Sequence, residues 1–229
     1  MVEAELTGLL PADFAGERAP TIVYGGPPVP ECSQRHRVEI HDARALQDGT
    51  ASEAKFFADH GFVLLPHETA VKDWDRDVPS IYFGEIKSII RERLLPGKRL
   101  DVKQWPSVIK RGSGRRFYAQ FIHTDGPLSP ELFAKNLAAF GTPQIERGWL
   151  DAYAHPAVAG LISIGFWRTI HMRQPLRHMP LALCDPSSIE RSDIFPADMV
   201  GVAPERKTTH HAALRFNPGQ KWYYYPQIT

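Results

Sequence analysis

Cysteine is scarce in this sequence, long apolar runs are missing and charge is almost balanced; each shortage removes a class of protein. Cys32 and Cys184 are the only cysteines, far apart and in no zinc-type spacing. A disulfide-stapled scaffold is therefore not expected, although one bridge between them stays open, and the count suggests a reducing compartment. No stretch approaches the roughly 20 apolar residues of a membrane-spanning helix, and the N-terminus lacks the basic-then-apolar pattern of a secretory signal. The expectation is a cytoplasmic protein with no membrane partner. Lys and Arg total 27 against 26 Asp and Glu, which leaves no global attraction to nucleic acid or anionic lipid. The basic run from Lys110 to Arg116 reads as a solvated loop before a strand. Glycine-rich nucleotide loops and the Gly-x-Ser-x-Gly elbow do not occur, which disfavours common dehydrogenases and serine hydrolases.

What is present reads as an arm followed by a single domain. Residues 1–35 carry Pro11, Pro20, Pro27, Pro28 and Pro30 and a Gly25-Gly26 turn signal, so an irregular N-terminal arm is expected there, with one domain over 36–229. Thr50 and Glu53 have the spacing of a capping box ahead of a helix that Gly61 would stop, and Phe62 to Leu65 reads as a short buried strand. A second helix is expected over about 79–95, with Tyr82, Ile86 and Ile89 on its buried stripe. Ser129-Pro130 starts a helix that ends near Gly141, and Thr142-Pro143 starts another through Trp149 and Tyr153.

From Arg116 onward strands dominate. Candidates are Phe117 to Ile122, Leu161 to Trp167, Pro180 to Cys184, and a hairpin of 212–216 and 221–225 around the turn Asn217-Pro218-Gly219-Gln220. Helices first and then short strands predict an α+β chain whose second part is an antiparallel barrel or sandwich. About six strands are countable where a jelly roll needs about eight, so the sheet looks unfinished. An open apolar edge after Tyr225 would favour a homodimer.

His123-Thr124-Asp125 is the central chemical feature. Alternate residues of a strand share a face, so an imidazole and a carboxylate could converge on one cation. With one distant histidine they would form the facial triad of non-haem Fe(II) oxygenases. Gly126-Pro127 ends the strand directly afterwards. Taken alone the triplet is common, and a strand-end histidine beside a turn-forming aspartate is the plainer reading.

Four ordered segments add context. Gln120 to Asp125, Ile164 to Ile170, Pro180 to Asp185 and Phe216 to Pro226 resemble the CmcJ/AsaB-like proteins, which are similar to gibberellin desaturases. The second segment is like their Asn-Val-Trp-Arg-Pro stretch, the third like Pro-Leu-Ala-x-Cys-Asp, and the fourth like Asn-Pro-x-x-x-Trp-Tyr-Tyr. The resemblance implies an α+β fold with a double-stranded β-helix (jelly-roll) core and flanking helices. It implies Fe(II) held by His123 and Asp125, 2-oxoglutarate as cosubstrate, and hydroxylation or desaturation of a small secondary metabolite. In those relatives a second histidine and an arginine lie downstream of the Trp-Tyr-Tyr strand. This sequence stops at Thr229, so the core is expected to be incomplete, lacking the usual C-terminal strands.

His210 and His211 are the only late histidines, and they precede the turn at 217–220. His211 is an alternative third ligand, with a place at a loop-to-strand junction as the plainer role; Arg215 follows it too closely to copy the family spacing. Arg168 and Tyr224 are candidates to bind cosubstrate or substrate, with an ion pair and strand packing as their respective alternatives. His60 and His67 have no partner visible in sequence. Two rival functions stay open: a catalytically inactive jelly-roll binding or interaction module, and a zinc hydrolase that would need a ligand not identifiable here.

Overall fold

Eight strands in two sheets, joined by five helices and several short helical turns, make up the described part of the computed structural model, residues 1–27, 29–103, 108–110, 122–141, 143–177 and 179–228. The strands are β1 (Val2–Leu6), β2 (Ile22–Val23), β3 (His36–Asp42), β4 (His123–Thr124), β5 (Ala182–Cys184), β6 (Ile194–Val200), β7 (Thr208–Leu214) and β8 (Trp222–Tyr224). The first sheet runs β1-β3-β8-β5 and the second β2-β6-β7-β4. Helices and strands together give the α+β class expected from sequence.

The arm expected over residues 1–35 is not irregular throughout. Val2–Leu6 pairs antiparallel with His36–Ile40, and Ile22–Val23 pairs parallel with Met199–Val200. The prolines fall between these strands, where they do not interrupt a ladder. Arg18 meets Asp198 at 2.6 Å and Leu10 donates to the Leu214 carbonyl, so the N-terminal segment is tied to the second sheet.

The turn at 217–220 is present, closed by Gln220 N–H on the Asn217 carbonyl at 3.0 Å, but it is not a hairpin. The chain leaves β7 in one sheet and enters β8 in the other. Asp193, 1% exposed, fixes this crossing by accepting from Arg215 and Asn217, each at 3.0 Å. β8 then lies between β3, parallel, and β5, antiparallel. β8 is thus an inner strand of its sheet and not the open edge expected after Tyr225.

Alternation along β8 divides the core. Trp222 and Tyr224 join Ile40 and the second sheet's Leu214 in one cluster, whereas Tyr223 and Tyr225 meet Ala43, Phe56 and Phe62. Fully burying side chains of the size of Trp222 and Phe56 is worth about 1.5–3 kcal/mol each. The second cluster brings in α1 (Ala43–Asp48), capped by the Asp42 carboxylate, and α2 (Glu53–His60), capped by the Ser52 hydroxyl rather than Thr50. Gly61 ends α2 in the left-handed conformation, φ +70°, the role read for it from sequence.

Phe62 to Leu65 forms no strand. Leu64 instead receives side-chain partners, its N–H donating to Gln47 at 2.9 Å and to the Tyr225 hydroxyl at 3.1 Å. The helix expected over 79–95 is present as α3 (Phe83–Ile89), extended by π-helical turns at Val78–Tyr82 and Ile90–Leu94. Both later helices follow their punctuation: α4 (Pro130–Phe140) is capped by Ser129 and stopped at Gly141, and α5 covers Pro143–Tyr153. Of the strand expected over 117–122, residues 117–121 lie outside the described residues. Leu161 to Trp167 forms no strand; among the described residues between α5 and β5 there is no helix or strand.

Candidate metal site

β4 positions the candidate ligands. It pairs antiparallel with β7, His123 opposite Ala213 and Thr124 opposite Ala212. The Thr124 hydroxyl also accepts from the Ala212 N–H at 3.1 Å. Residues of β7 beyond this short strand need another partner, and α4 supplies it. The Asn136 amide, on a side chain 2% exposed, donates to the His210 carbonyl at 2.7 Å and accepts from its N–H at 2.6 Å. A side-chain amide thus stands in for a strand backbone.

His123 Nε2 and Asp125 Oδ1 lie 3.5 Å apart, the imidazole 13% exposed and the carboxylate 81% exposed. Two adjacent donors about 2.1 Å from one cation are roughly 3 Å apart, so the pair can occupy neighbouring positions on one metal ion. A nitrogen and an oxygen donor suit Fe(II) or Zn(II), and the exposed carboxylate leaves room for exchangeable ligands.

His211 is the third residue brought to this place. Its ring meets the His123 ring edge to face, centroids 5.7 Å apart at 86°. Its nitrogens are nevertheless engaged: Nδ1 lies 3.2 Å from the Thr124 carbonyl and Nε2 lies 2.9 Å from the Thr209 hydroxyl. A carbonyl only accepts, so the bond to Thr124 needs the proton on Nδ1, while the Thr209 hydroxyl beside Nε2 donates its single hydrogen to the Met199 carbonyl at 3.2 Å. Both ring nitrogens thus lie against oxygens of the protein. Burial first, then the neighbouring His123 charge, holds the His211 imidazole below its usual value. Among the described residues no group of three or more His, Cys, Asp and Glu side chains is placed to hold a metal.

The remaining candidates lie elsewhere. Arg168 sits over the Trp74 and Tyr82 rings, 5.2 and 5.9 Å from their centroids, and forms no ion pair among the described residues. Burial pushes the Tyr82 phenol above its usual value against the pull of that guanidinium. Tyr224 is on β8 in the other sheet, opposite Ala182 in the inter-sheet cluster. His60 has a partner that sequence did not reveal, the buried Asp185 carboxylate at 2.8 Å. His67 faces Glu85 at 3.7 Å, and His210 bonds Asp198 at 2.8 Å.

The architecture has known counterparts. Two structures of the iron and alpha-ketoglutarate-dependent endoperoxidase NvfI, one of them described as a different conformation, superpose with TM-scores of 0.58 and 0.61. They are 16% and 19% identical in sequence, and each alignment covers 99% of this chain and 80% of that one. The two folds are alike. Residues 141–229 also match a family model described as an oxidoreductase/YMDC permease-like domain, a stretch that includes Arg168, His211 and Tyr224 but not His123 or Asp125. No curated protein matches the sequence. No described helix is long and apolar enough to cross a membrane.

Proposed function

We propose that this chain is an Fe(II)- and 2-oxoglutarate-dependent oxidoreductase of the CmcJ/AsaB-like group, with a double-stranded β-helix core. It would hydroxylate or desaturate a small secondary metabolite. The observation that carries this reading is the His123–Asp125 donor pair, 3.5 Å apart, in a fold shared with an iron and alpha-ketoglutarate-dependent enzyme. The oxidoreductase-like match over residues 141–229 points the same way.

His123 and Asp125 would hold the metal. Fe(II) together with 2-oxoglutarate would supply the oxidising power drawn from dioxygen. The protein's contribution is positional. The β4–β7 register sets where His123 begins, and the His211 ring, fixed by Thr124 and Thr209, limits rotation of the His123 ring. Asp125, at the open side, leaves the approach for cosubstrate and substrate.

Anaerobic Fe(II) binding followed by oxygen-dependent conversion of 2-oxoglutarate to succinate tests the reading. The wild type should bind the ion and form succinate, and His123→Ala and Asp125→Ala should lose both. A wild type that neither binds Fe(II) nor forms succinate sinks it.

One observation favours a second reading, a catalytically inactive binding module: among the described residues no group of three or more His, Cys, Asp and Glu side chains is placed to hold a metal. Saturable 2-oxoglutarate binding that needs no metal and gives no succinate would support that alternative.

A further inference from the structure

We infer that Gly165 and Arg168 are positioning residues that set the orientation of the Asp125 carboxylate, an inference that rests on the metal reading of His123 and Asp125. Residues 158–170 contain no helix or strand, yet they run directly against the candidate site. A Cβ added at Gly165 would stand 2.9 Å from Asp125 Oδ2, and one added at Gly126 would stand 3.5 Å from the Ser163 hydroxyl. The chain here touches both Asp125 and the residue after it, and at the closest point only a hydrogen atom fits.

Three residues further on, the same segment is pinned. The Arg168 guanidinium covers Trp74 and Tyr82, which themselves meet edge to face at 5.0 Å. These rings belong to the apolar cluster of Val71, Val78 and Tyr82, near the start of α3. Arg168 Nε is buried with no hydrogen-bond partner among the described residues, so the ring faces contribute to holding this cation. His171 follows with φ 55°, a left-handed turn that a non-glycine residue adopts only where its surroundings hold it. The segment is thus anchored on the helical side and laid along Asp125 on the other.

The two contacts act on the carboxylate in different ways. Gly165 acts by what it lacks. A methyl group there would push on the free end of a side chain, not on backbone, so Asp125 would turn away while the fold stayed intact. Arg168 acts at a distance, by holding Gly165 where it stands. Residues that orient a ligand typically change metal affinity by about ten- to a hundredfold when altered.

The test uses Co(II) as the probe, titrated anaerobically and followed by visible absorption, with amide exchange of residues 160–170 as an independent readout. Gly165→Ala should weaken Co(II) about tenfold with an unchanged thermal midpoint. Arg168→Met should weaken Co(II) similarly and speed exchange of 160–170 by about tenfold, and Arg168→Lys, which keeps a cation over the rings, should fall between. Wild-type affinity in Gly165→Ala, or unchanged exchange in Arg168→Met, overturns the inference. A wild type that takes up no Co(II) removes the metal reading itself, and the exchange result then reports separately whether Arg168 holds the segment.

Discussion

The His60 imidazole and the Asp185 carboxylate meet at 2.8 Å, Nδ1 to Oδ2, across 125 residues of chain. His60 closes α2, and Asp185 caps a short helical turn directly after β5. The contact therefore fastens a helix to the outer edge of the first sheet. Burial raises the Asp185 carboxyl, but hydrogen bonds from Ser187 and His60 outweigh burial and hold it below the usual carboxylate range.

A depressed folded-state value has a definite sign in stability. The contribution is present above the unfolded carboxylate value of about 3.9 and is lost as pH falls through the lower folded value. Asp185→Asn should cost about 2 kcal/mol near neutral pH. Its thermal midpoint should then fall less steeply than the wild type's between pH 5 and pH 2, by order of magnitude of the carboxylate range. Parallel midpoint curves for the two proteins would contradict this account.

Gly61 should not tolerate a side chain. Its φ of +70° is left-handed, and a Cβ would lie 2.8 Å from Pro186 Cγ, beside the His60–Asp185 contact. Left-handed backbone alone costs about 1–2 kcal/mol for a non-glycine residue, and the proline ring has little freedom to retreat. Gly61→Ala should lower stability by about 2–3 kcal/mol in urea unfolding.

Gln47 should matter more than Tyr225's hydroxyl. The Gln47 amide both donates to the Leu64 carbonyl at 2.8 Å and accepts from its N–H at 2.9 Å, whereas the Tyr225 hydroxyl donates to Gln47 at 2.6 Å and accepts from Leu64 at 3.1 Å. After Tyr225→Phe the Leu64 N–H keeps a partner, so the cost should be about 1 kcal/mol. Gln47→Leu strips the Leu64 carbonyl of its bond and should cost about 2–3 kcal/mol. Equal costs in a denaturant titration would show that the tyrosine is the primary support.

Asp125 should separate function from folding. Its side chain is 81% exposed, and substitutions at such positions usually change stability by no more than about 0.5 kcal/mol. Asp125→Ala should therefore keep the wild-type unfolding midpoint while losing Fe(II) binding. A large drop in midpoint would reveal a structural role instead.

Local punctuation was the most readable part of the sequence. Ser129-Pro130, Pro143 and Gly61 act through their own backbone or nearest neighbours, so the helices they bound lie where expected. Strands were harder, because their partners are remote. Val2 to Leu6 alternates apolar and acidic residues, yet it becomes a strand only by pairing with His36 to Ile40. β6 is hidden further by Pro196 and Asp198, and it is stabilised by seven paired positions with β7. Leu161 to Trp167 has the composition of a strand, and composition could not show that Arg168 would be drawn to Trp74 and Tyr82.

The site divides along the same line. His123 and Asp125 are two residues apart, so their proximity is local, although β4 ends at Thr124 and Asp125 lies in the bend just beyond it. The approach of His211 depends on the pairing of Thr124 with Ala212, which no local pattern encodes. The alternation of Thr209 and His211 placed both on one face, but only the fold shows the hydroxyl 2.9 Å from the imidazole Nε2.

The position of β8 has a consequence for synthesis. Ile40 and Trp222 are neighbours in the first sheet, although almost the whole described chain separates them. On a ribosome, β1 and β3 emerge early and must wait, with one side of β3 unpaired, until β8 arrives to join them to β5. Contacts so distant along the chain are slow to form, and an unsatisfied strand invites wrong partners. Until Trp222 to Tyr224 is made and enters the sheet, a nascent chain of this protein should therefore carry β3 with one side open to wrong partners.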